Sequence, residues 1–416
     1  VMDYKTRRTR VMEAMPQGSL ALFFSGKAPV RSLDEAYPFS VNRNFYYLTG
    51  LDREAMTLAL IKNGDHVQSV LFIEPFDPLQ ARWVGGRMKP EEAQQQADVD
   101  AVYPKDEMLD FIHRQMKLNR GNRRMSVGLD LAKESWEEPD DAAHQFAGHI
   151  RQHYPSVDLV NLHAALAQLR MIKDEDELNL MRQAQEATIT AVKVMMRHCA
   201  PGINETELEG VFDFALMKQG VREHAFPTIC ASGANATILH YSRNNELIED
   251  GDLVLCDLGG AIGHYCADIT RTYPANGRFT QRQKQIYDIV LEGQRRVIAA
   301  IRPGRTLRQL NQVLVDFYGE QLAAIGLLEQ GMTVRDYYFH SVSHHLGLDT
   351  HDVNIANLPL AAGMVITVEP GLYLEAEGIG IRIEDDILVS ETGAVNLSEK
   401  LPHTTEEIET FMNKGE

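Results

Sequence analysis

The sequence predicts a two-domain α/β (α+β) protein whose second domain is built on an internal pseudo-two-fold repeat. Three observations carry this. The chain has 416 residues, more than one hydrophobic core usually organises. Residues 1–165 alternate short strand and helix signals, whereas residues 166–416 bring long helical patterns. Within that second half, one pattern occurs twice: an apolar strand that ends in an acid and a turn. We therefore expect domains at 1–165 and 166–416.

Composition narrows the function classes. The 44% hydrophobic and 24% charged fractions are those of a soluble globular protein. No run approaches 18 apolar residues, so no membrane span is expected. The opening Val1-Met2-Asp3-Tyr4-Lys5, with Arg7, Arg8 and Arg10, lacks the apolar run of a secretory signal. The net charge of −18 comes without a Lys/Arg cluster, which argues against nucleic acid and for a solvated acidic surface. Cys199, Cys230, Cys256 and Cys266 form no C-x-x-C pair and read as buried free thiols of a cytoplasmic chain.

In chain order, Leu20 to Phe24 is an apolar strand ended by Ser25-Gly26. Thr57 to Ile61 and His66 to Ile73 flank Asn63-Gly64-Asp65, a hairpin signal. Glu91 to Ala97 favours helix, Ser126 to Leu129 strand, and Trp136 to His153 helix. Leu162 to Lys173 bridges the halves. A long helix is expected from Lys173 to Cys199, with Asp174, Glu175, Asp176 and Glu177 in its first turn, where acids suit the helix dipole. Leu178, Met181, Val192, Met195 and Cys199 give its apolar stripe, and Pro201-Gly202 ends it. Asn204 with Glu207, or Thr206 with Glu209, offers a capping box for the next helix.

The repeat aligns Gly251 through Gly259 with Gly363 through Gly371. In each copy a glycine precedes the acid, Asp257 or Glu369, by six residues and another follows by two. A further strand then carries a second acid, Asp268 or Glu384. Burying four such acids without cations would cost several kcal/mol each, about what a divalent metal pair removes. Alternation aligns Leu253, Leu255 and Asp257 on one face, aligns His264, Cys266, Asp268 and Thr270 on the return strand, and gives Arg382 and Glu384 a shared face. Cys256 then points away from the acids while Cys266 leans towards them, so these two thiols are not expected to pair. A further ligand is expected from the run that holds His340, His344, His345 and His351, four histidines within 12 residues. Composition does not choose between His344 and His345.

The strings VLCDLGGAIGHYCADITRTYP, HSVSHHLGLDTHD, MVITVEPGLY and GIRIEDD resemble the metallopeptidases of the pita-bread fold, above all Xaa-Pro aminopeptidases, with prolidases next. SVNRNFYYLTGL in the first half resembles the creatinase/prolidase-type N-terminal domain. The resemblance implies that Asp257 chelates one metal, Asp268 and Glu384 bridge two, His344 is the histidine ligand, and Glu369 is both ligand and base. It implies outer roles for His351 and His240 in holding substrate and intermediate, and substrate positions for His340 and Arg382. His345 departs from the pattern, since relatives often carry an aromatic or small residue there. The connection from Glu369 to Glu384 is also short, which removes a loop that some prolidases have.

Four carboxylates and an imidazole suit a hard or borderline ion: two divalent ions, Mn²⁺ first, with Co²⁺ and Zn²⁺ as alternatives. Such a pair, about 3.5–4 Å apart, shares a water and lowers its pKa, and the hydroxide attacks the scissile carbonyl. Release of the N-terminal residue from Xaa-Pro-Yaa peptides is the expected reaction. Prolidase action on Xaa-Pro dipeptides is the alternative. A creatinase-like metal-free hydrolase would have lost the carboxylates, and a non-catalytic peptide-binding module would carry damaged ligands. Ala231-Ser232-Gly233-Ala234-Asn235 is not a nucleophile elbow, because it lacks G-x-S-x-G. Peptides are the expected partners, and the chain is expected to form a homo-oligomer, dimer or tetramer.

Overall fold

The computed structural model describes residues 2–86, 88–118, 125–329 and 331–413. The chain divides into two compact units, Val1–Arg170 and Met171–Glu416.

The first unit is a six-stranded mixed sheet. Its strands are β1 (Leu20–Phe24), β2 (Thr57–Asn63), β3 (His66–Ile73), β4 (Ala101–Pro104), β5 (Ser126–Leu129) and β6 (Asp158–Asn161), in the order β4-β3-β2-β1-β5-β6. The β1–β2 and β2–β3 pairs are antiparallel, and the other three are parallel. The β2–β3 hairpin closes with Asn63 opposite His66. Its first loop residue is Gly64 at φ +64, a conformation that only glycine adopts without cost. Helices α1 (Met108–Leu118) and α2 (Ala142–His153) lay Phe111, Ile112, Phe146 and Ile150 on Leu20, Leu22 and Val127 of the sheet.

Helix α2 starts six residues after the expected Trp136. Pro139 disfavours helix at the residue before it, and Asp141 caps the N-terminus by accepting from His144 N at 2.9 Å. The bridging stretch 162–173 is mostly helical as well: α3 runs from His163 to Met171, so a boundary at 165 would fall inside it.

The second unit repeats one order of elements. Helices α4 (Glu175–His198) and α5 (Glu205–Lys218) precede β7 (Ile229–Ser232), β8 (Leu253–Leu258), β9 (Gly260–Ile262), β10 (Tyr265–Cys266) and β11 (Ile269–Pro274). Helices α6 (Gln281–Ala300) and α7 (Leu307–Ala324) then precede β12 (Val365–Val368), β13 (Gly371–Leu374), β14 (Ile379–Arg382) and β15 (Asp385–Val389). Asp174 and Glu177 form a reciprocal capping box at the start of α4, and Thr280 with Gln283 and Thr306 with Gln309 do the same for α6 and α7. Asn204 caps α5 by accepting from Thr206 N, without a box. The four helices bury Val192, Leu216, Val290 and Leu314 in a core shared with Val254 and Ile366 of the strands.

Each repeat is a hairpin with a smaller hairpin grafted at its tip. Strand β8 pairs antiparallel with β11 from Leu253↔Pro274 to Leu258↔Ile269, and β9–β10 is the graft. Strand β12 pairs with β15 from Val365↔Leu388 to Val368↔Asp385, and β13–β14 is the graft. A bridge between Thr270 and Glu384 joins the two hairpins.

The graft corrects the simple alternation. The return strand is broken at Ala267 and Asp268, and His264 sits in a turn at φ +64, so His264 through Thr270 do not share one face. Ala267 N turns to Gly260 O, and Asp268 N to the Asp386 carboxylate. The crossing is so close that a Cβ on Gly259 would lie 1.8 Å from Ala267 O. Cys256 packs in the helical core, with its sulfur 3.1 Å from Tyr273 Oη and 3.9 Å from Cys230 Sγ. Cys266 turns to the carbonyl of His264, and all four cysteines are free. Among the described residues no helix is long and apolar enough to cross a membrane.

Candidate metal centre

The breaks in the hairpins place the acids. Asp257 is the fifth residue of β8, Asp268 immediately precedes β11, Glu369 immediately follows β12, and Glu384 immediately precedes β15. The peptide groups where the strands part are therefore tied down individually. Glu384 N donates to Thr270 O at 3.0 Å, and Glu369 N to Val342 O at 2.9 Å. The segment around Val342 runs beside β12, with Thr367 N on His344 O and Leu346 N on Val365 O. This is how His344 reaches the acids.

One cavity of about 790 Å³ is lined by Asp257, Asp268, Glu369, Glu384 and His344, and also by His240, His340, His351 and Arg382. All nine residues singled out by the sequence meet there. Ligand atoms of Asp268, His344 and Glu384 lie within 4.8 Å of one another. His344 Nε2 is 3.4 Å from Asp268 Oδ2 and 3.4 Å from Glu369 Oε1. Its Nδ1 lies 3.0 Å from the carbonyl of His345, which places the proton on Nδ1 and turns the Nε2 lone pair to the acids. His345 is itself buried, and its ring lies outside the set that lines the cavity. The His351 ring packs edge-on against His344, with centroids 4.5 Å apart.

The electrostatics fit cations. Burial, the neighbouring Glu384 and Asp257 push the Asp268 carboxyl well above the usual range. Burial, Glu369 and Asp257 do the same to Glu384. Glu369 is pushed up to about 8 by burial, with Arg382 opposing and Asp257 adding to the rise. His340 and His344 are held down to about 4, chiefly by burial, so both imidazoles are neutral donors at physiological pH. Asp257 Oδ1 is buried and accepts no hydrogen bond from the described residues. Four crowded carboxylates, one of them with an orphan oxygen, and one neutral imidazole are a donor set for divalent ions.

Further side chains, not singled out by the sequence, hold this set. Thr270 Oγ1 donates to Glu384 Oε2 at 2.6 Å and accepts from Arg382 Nε at 3.2 Å. Tyr373 Oη is 2.9 Å from His340 Nε2 and accepts from Arg382 Nη1 at 3.0 Å. Asp386 accepts from Asp268 N at 2.8 Å. Buried Glu205 accepts from Ser232 N and Oγ, Asn235 Nδ2, Tyr241 Oη and Glu246 N, and so ties down both flanks of His240. Position gave a partial signal: Thr270, Tyr373 and Asp386 lie inside the motif strings, whereas Glu205 lies on a helix with no local mark.

Residues 179–391 match the model of metallopeptidase family M24, and residues 4–123 match the aminopeptidase P N-terminal domain. The chain is 35% identical to the Xaa-Pro aminopeptidase of Escherichia coli K12, over 99% of this chain and 97% of that protein. A solved structure from Bacillus anthracis is 41% identical, with a TM-score of 0.95 over 99% of this chain and 98% of that one. Zn-substituted E. coli aminopeptidase P in complex with product is 33% identical, with a TM-score of 0.89 over 99% and 98%.

Proposed function

The chain belongs to metallopeptidase family M24, and from that premise we propose that it is an Xaa-Pro aminopeptidase that releases the first residue from peptides with proline second. The observation that carries this reading is the single cavity in which the five ligand-type side chains meet His240, His340 and His351.

Asp257, Asp268, His344, Glu369 and Glu384 would hold two divalent ions, with Mn²⁺ the best fit to a carboxylate-rich set and Co²⁺ or Zn²⁺ able to replace it. Ions held there would supply Lewis-acid polarisation of the scissile carbonyl and would lower the pKa of a water. The chain's own residues do the rest. Glu369 takes a proton from the attacking water. His351 and His240, on the cavity wall, hold the substrate carbonyl and stabilise the developing charge. Arg382 fixes Asp257, Thr270 fixes Glu384, and His345 O fixes the tautomer of His344. Phe226, Pro227, Ile229 and Leu239 give the same cavity an apolar wall suited to a pyrrolidine ring.

Proline explains the need for a dedicated enzyme. Its nitrogen carries no hydrogen, so a peptidase that grips that N–H fails on it. Tripeptides and longer chains are favoured over dipeptides by the engagement of Arg382. A dipeptidase captures the proline carboxylate with a cation. Arg382 is the only arginine or lysine lining the cavity among the described residues, and Asp257 already holds it at 2.7 Å.

Product analysis by mass spectrometry on Xaa-Pro and Xaa-Pro-Yaa peptides with added Mn²⁺ tests the reading. Release of the first residue from the tripeptide is expected. Cleavage of the dipeptide alone would make the chain a prolidase.

A further inference from the structure

We propose that Lys173 and Asp352 form a positioning pair that sets His344 and His351 in the cavity. The inference rests on the peptidase reading above, and neither residue of the pair lines the catalytic cavity.

Lys173 Nζ lies 3.1 Å from Asp352 Oδ2, and each side chain is only 1% exposed. Lys173 stands just before α4, and its backbone N donates to Gly363 O at 2.9 Å. Asp352 closes the loop that opens at His344. Its backbone N donates to His345 O at 2.9 Å, and His344 Nδ1 lies 3.0 Å from that same oxygen. A carbonyl oxygen has two lone pairs, so it serves both donors. Holding Asp352 therefore also holds the acceptor that sets the His344 tautomer. His351 precedes Asp352 in the chain. On its other side Thr350 Oγ1 donates to Ala225 O at 2.9 Å. With both flanks held, the His351 ring is kept edge-on against His344. A Cβ on Gly347 would lie 2.9 Å from Lys173 Cε and closer still to Asp352 Oδ2, so the loop wraps directly on the pair.

The choice of charges is informative. Taking two charges out of water is costly, and their attraction offsets that only in good geometry. Two apolar side chains of similar volume would fill the space without that cost. What they would lack is direction. Apolar contact is non-directional, whereas a hydrogen-bonded carboxylate holds its donor at a set distance and angle. The pair thus fixes where the loop sits, and with it both histidines.

The test is the double substitution Lys173→Met with Asp352→Asn, which leaves no charge buried alone. Two readouts are taken on full-length protein loaded with Co²⁺. One is the visible absorption of the bound ion, which reports ligand geometry. The other is kcat and KM on an Xaa-Pro-Yaa peptide. We expect a shifted Co²⁺ spectrum, and kcat lower by at least about tenfold, the scale for groups that orient ligands, with KM little changed. In a His351→Ala background the same double substitution should cost less, since one of its two targets is gone. An unchanged spectrum or an unchanged kcat in the folded double variant overturns the proposal, and so does an equal loss in both backgrounds. A lower melting temperature with both readouts unchanged would mark the pair as structural only. Should the double variant misfold, Asp352→Asn alone decides by the same readouts, because it keeps the shape and leaves Lys173 an oxygen. A wild type that binds Co²⁺ but releases no residue would sink the peptidase reading instead, and the spectrum would still decide on the pair.

Discussion

Arg382 Nη2 donates to Asp257 Oδ2 at 2.7 Å, with both side chains largely buried. The same guanidinium reaches Thr270 Oγ1 and Tyr373 Oη, so one cation orients parts of both hairpins.

Lysine cannot reproduce that fork, because its ammonium is a point charge without the planar geometry. Arg382→Lys is therefore expected to lower metal affinity or kcat about 10–100-fold, the usual scale for groups that orient ligands. Metal analysis and steady-state kinetics on the purified variant measure both. Wild-type values for both would show that Asp257 needs no such partner.

Chelation should abolish turnover, and Mn²⁺ or Co²⁺ should restore it. The reason is electrostatic: Asp268, Glu384 and Glu369 are crowded and buried, and without cations they hold protons and lose their shared function. Full turnover in a sample with no divalent ion by elemental analysis would end the metallopeptidase mechanism.

Two acids should separate by role. Glu369→Gln keeps an oxygen donor but loses the base, so it should retain much of the metal and lose most of kcat. Asp268→Ala removes a donor at the centre of the cluster, so metal and activity should fall together. A Glu369→Gln variant as fast as the wild type would reassign the base.

Glu205 acts through the loop that carries His240. Glu205→Gln turns an amide N–H₂ towards donors, a mismatch worth about 1–3 kcal/mol. We expect kcat to fall several-fold with metal content unchanged. If the effect runs through His240, the double variant with His240→Ala will be no slower than His240→Ala alone. Additive losses would mean that Glu205 acts elsewhere.

In the first unit, His163 Nδ1 lies 3.2 Å from Asp130 Oδ1. The hydrogen bond to Asp130 raises the His163 pKa above 6.5, against the effect of burial. Asp130 is lowered below 3.8, because its hydrogen bonds with His163 and Asn44 outweigh burial. The stabilisation from the histidine is therefore complete below 6.5 and lost as pH rises through its raised value. That from the aspartate is present above 3.8 and lost as pH falls through its lowered value. Thermal unfolding of the wild type should weaken more than that of His163→Gln as pH rises above 6.5; parallel profiles would remove the pair from the account.

The sequence spoke clearly where a signal is local. Leu20–Phe24 and Ser126–Leu129 are strands with those bounds, and Asn63-Gly64-Asp65 does turn a hairpin. The four acids were visible because the repeat marks them twice. What stayed hidden depends on distant partners. Arg382 and Asp257 are 125 residues apart, and Glu205 and Tyr241 are 36 apart; no periodicity reports such pairs. The break at Ala267 and Asp268 was equally silent, because it is imposed by Gly260 O and Asp386, outside the strand itself.

The bridge between Thr270 and Glu384 couples the two hairpins across one seam. Two acids come from one copy and two from the other, and the seam runs between them. Loosening either copy withdraws two of the four acids at once, so any bound metal and the fold of the second unit should be lost in one cooperative step. The same seam makes substitutions non-local: a change at Thr270 in one hairpin reaches an acid, Glu384, that the other supplies.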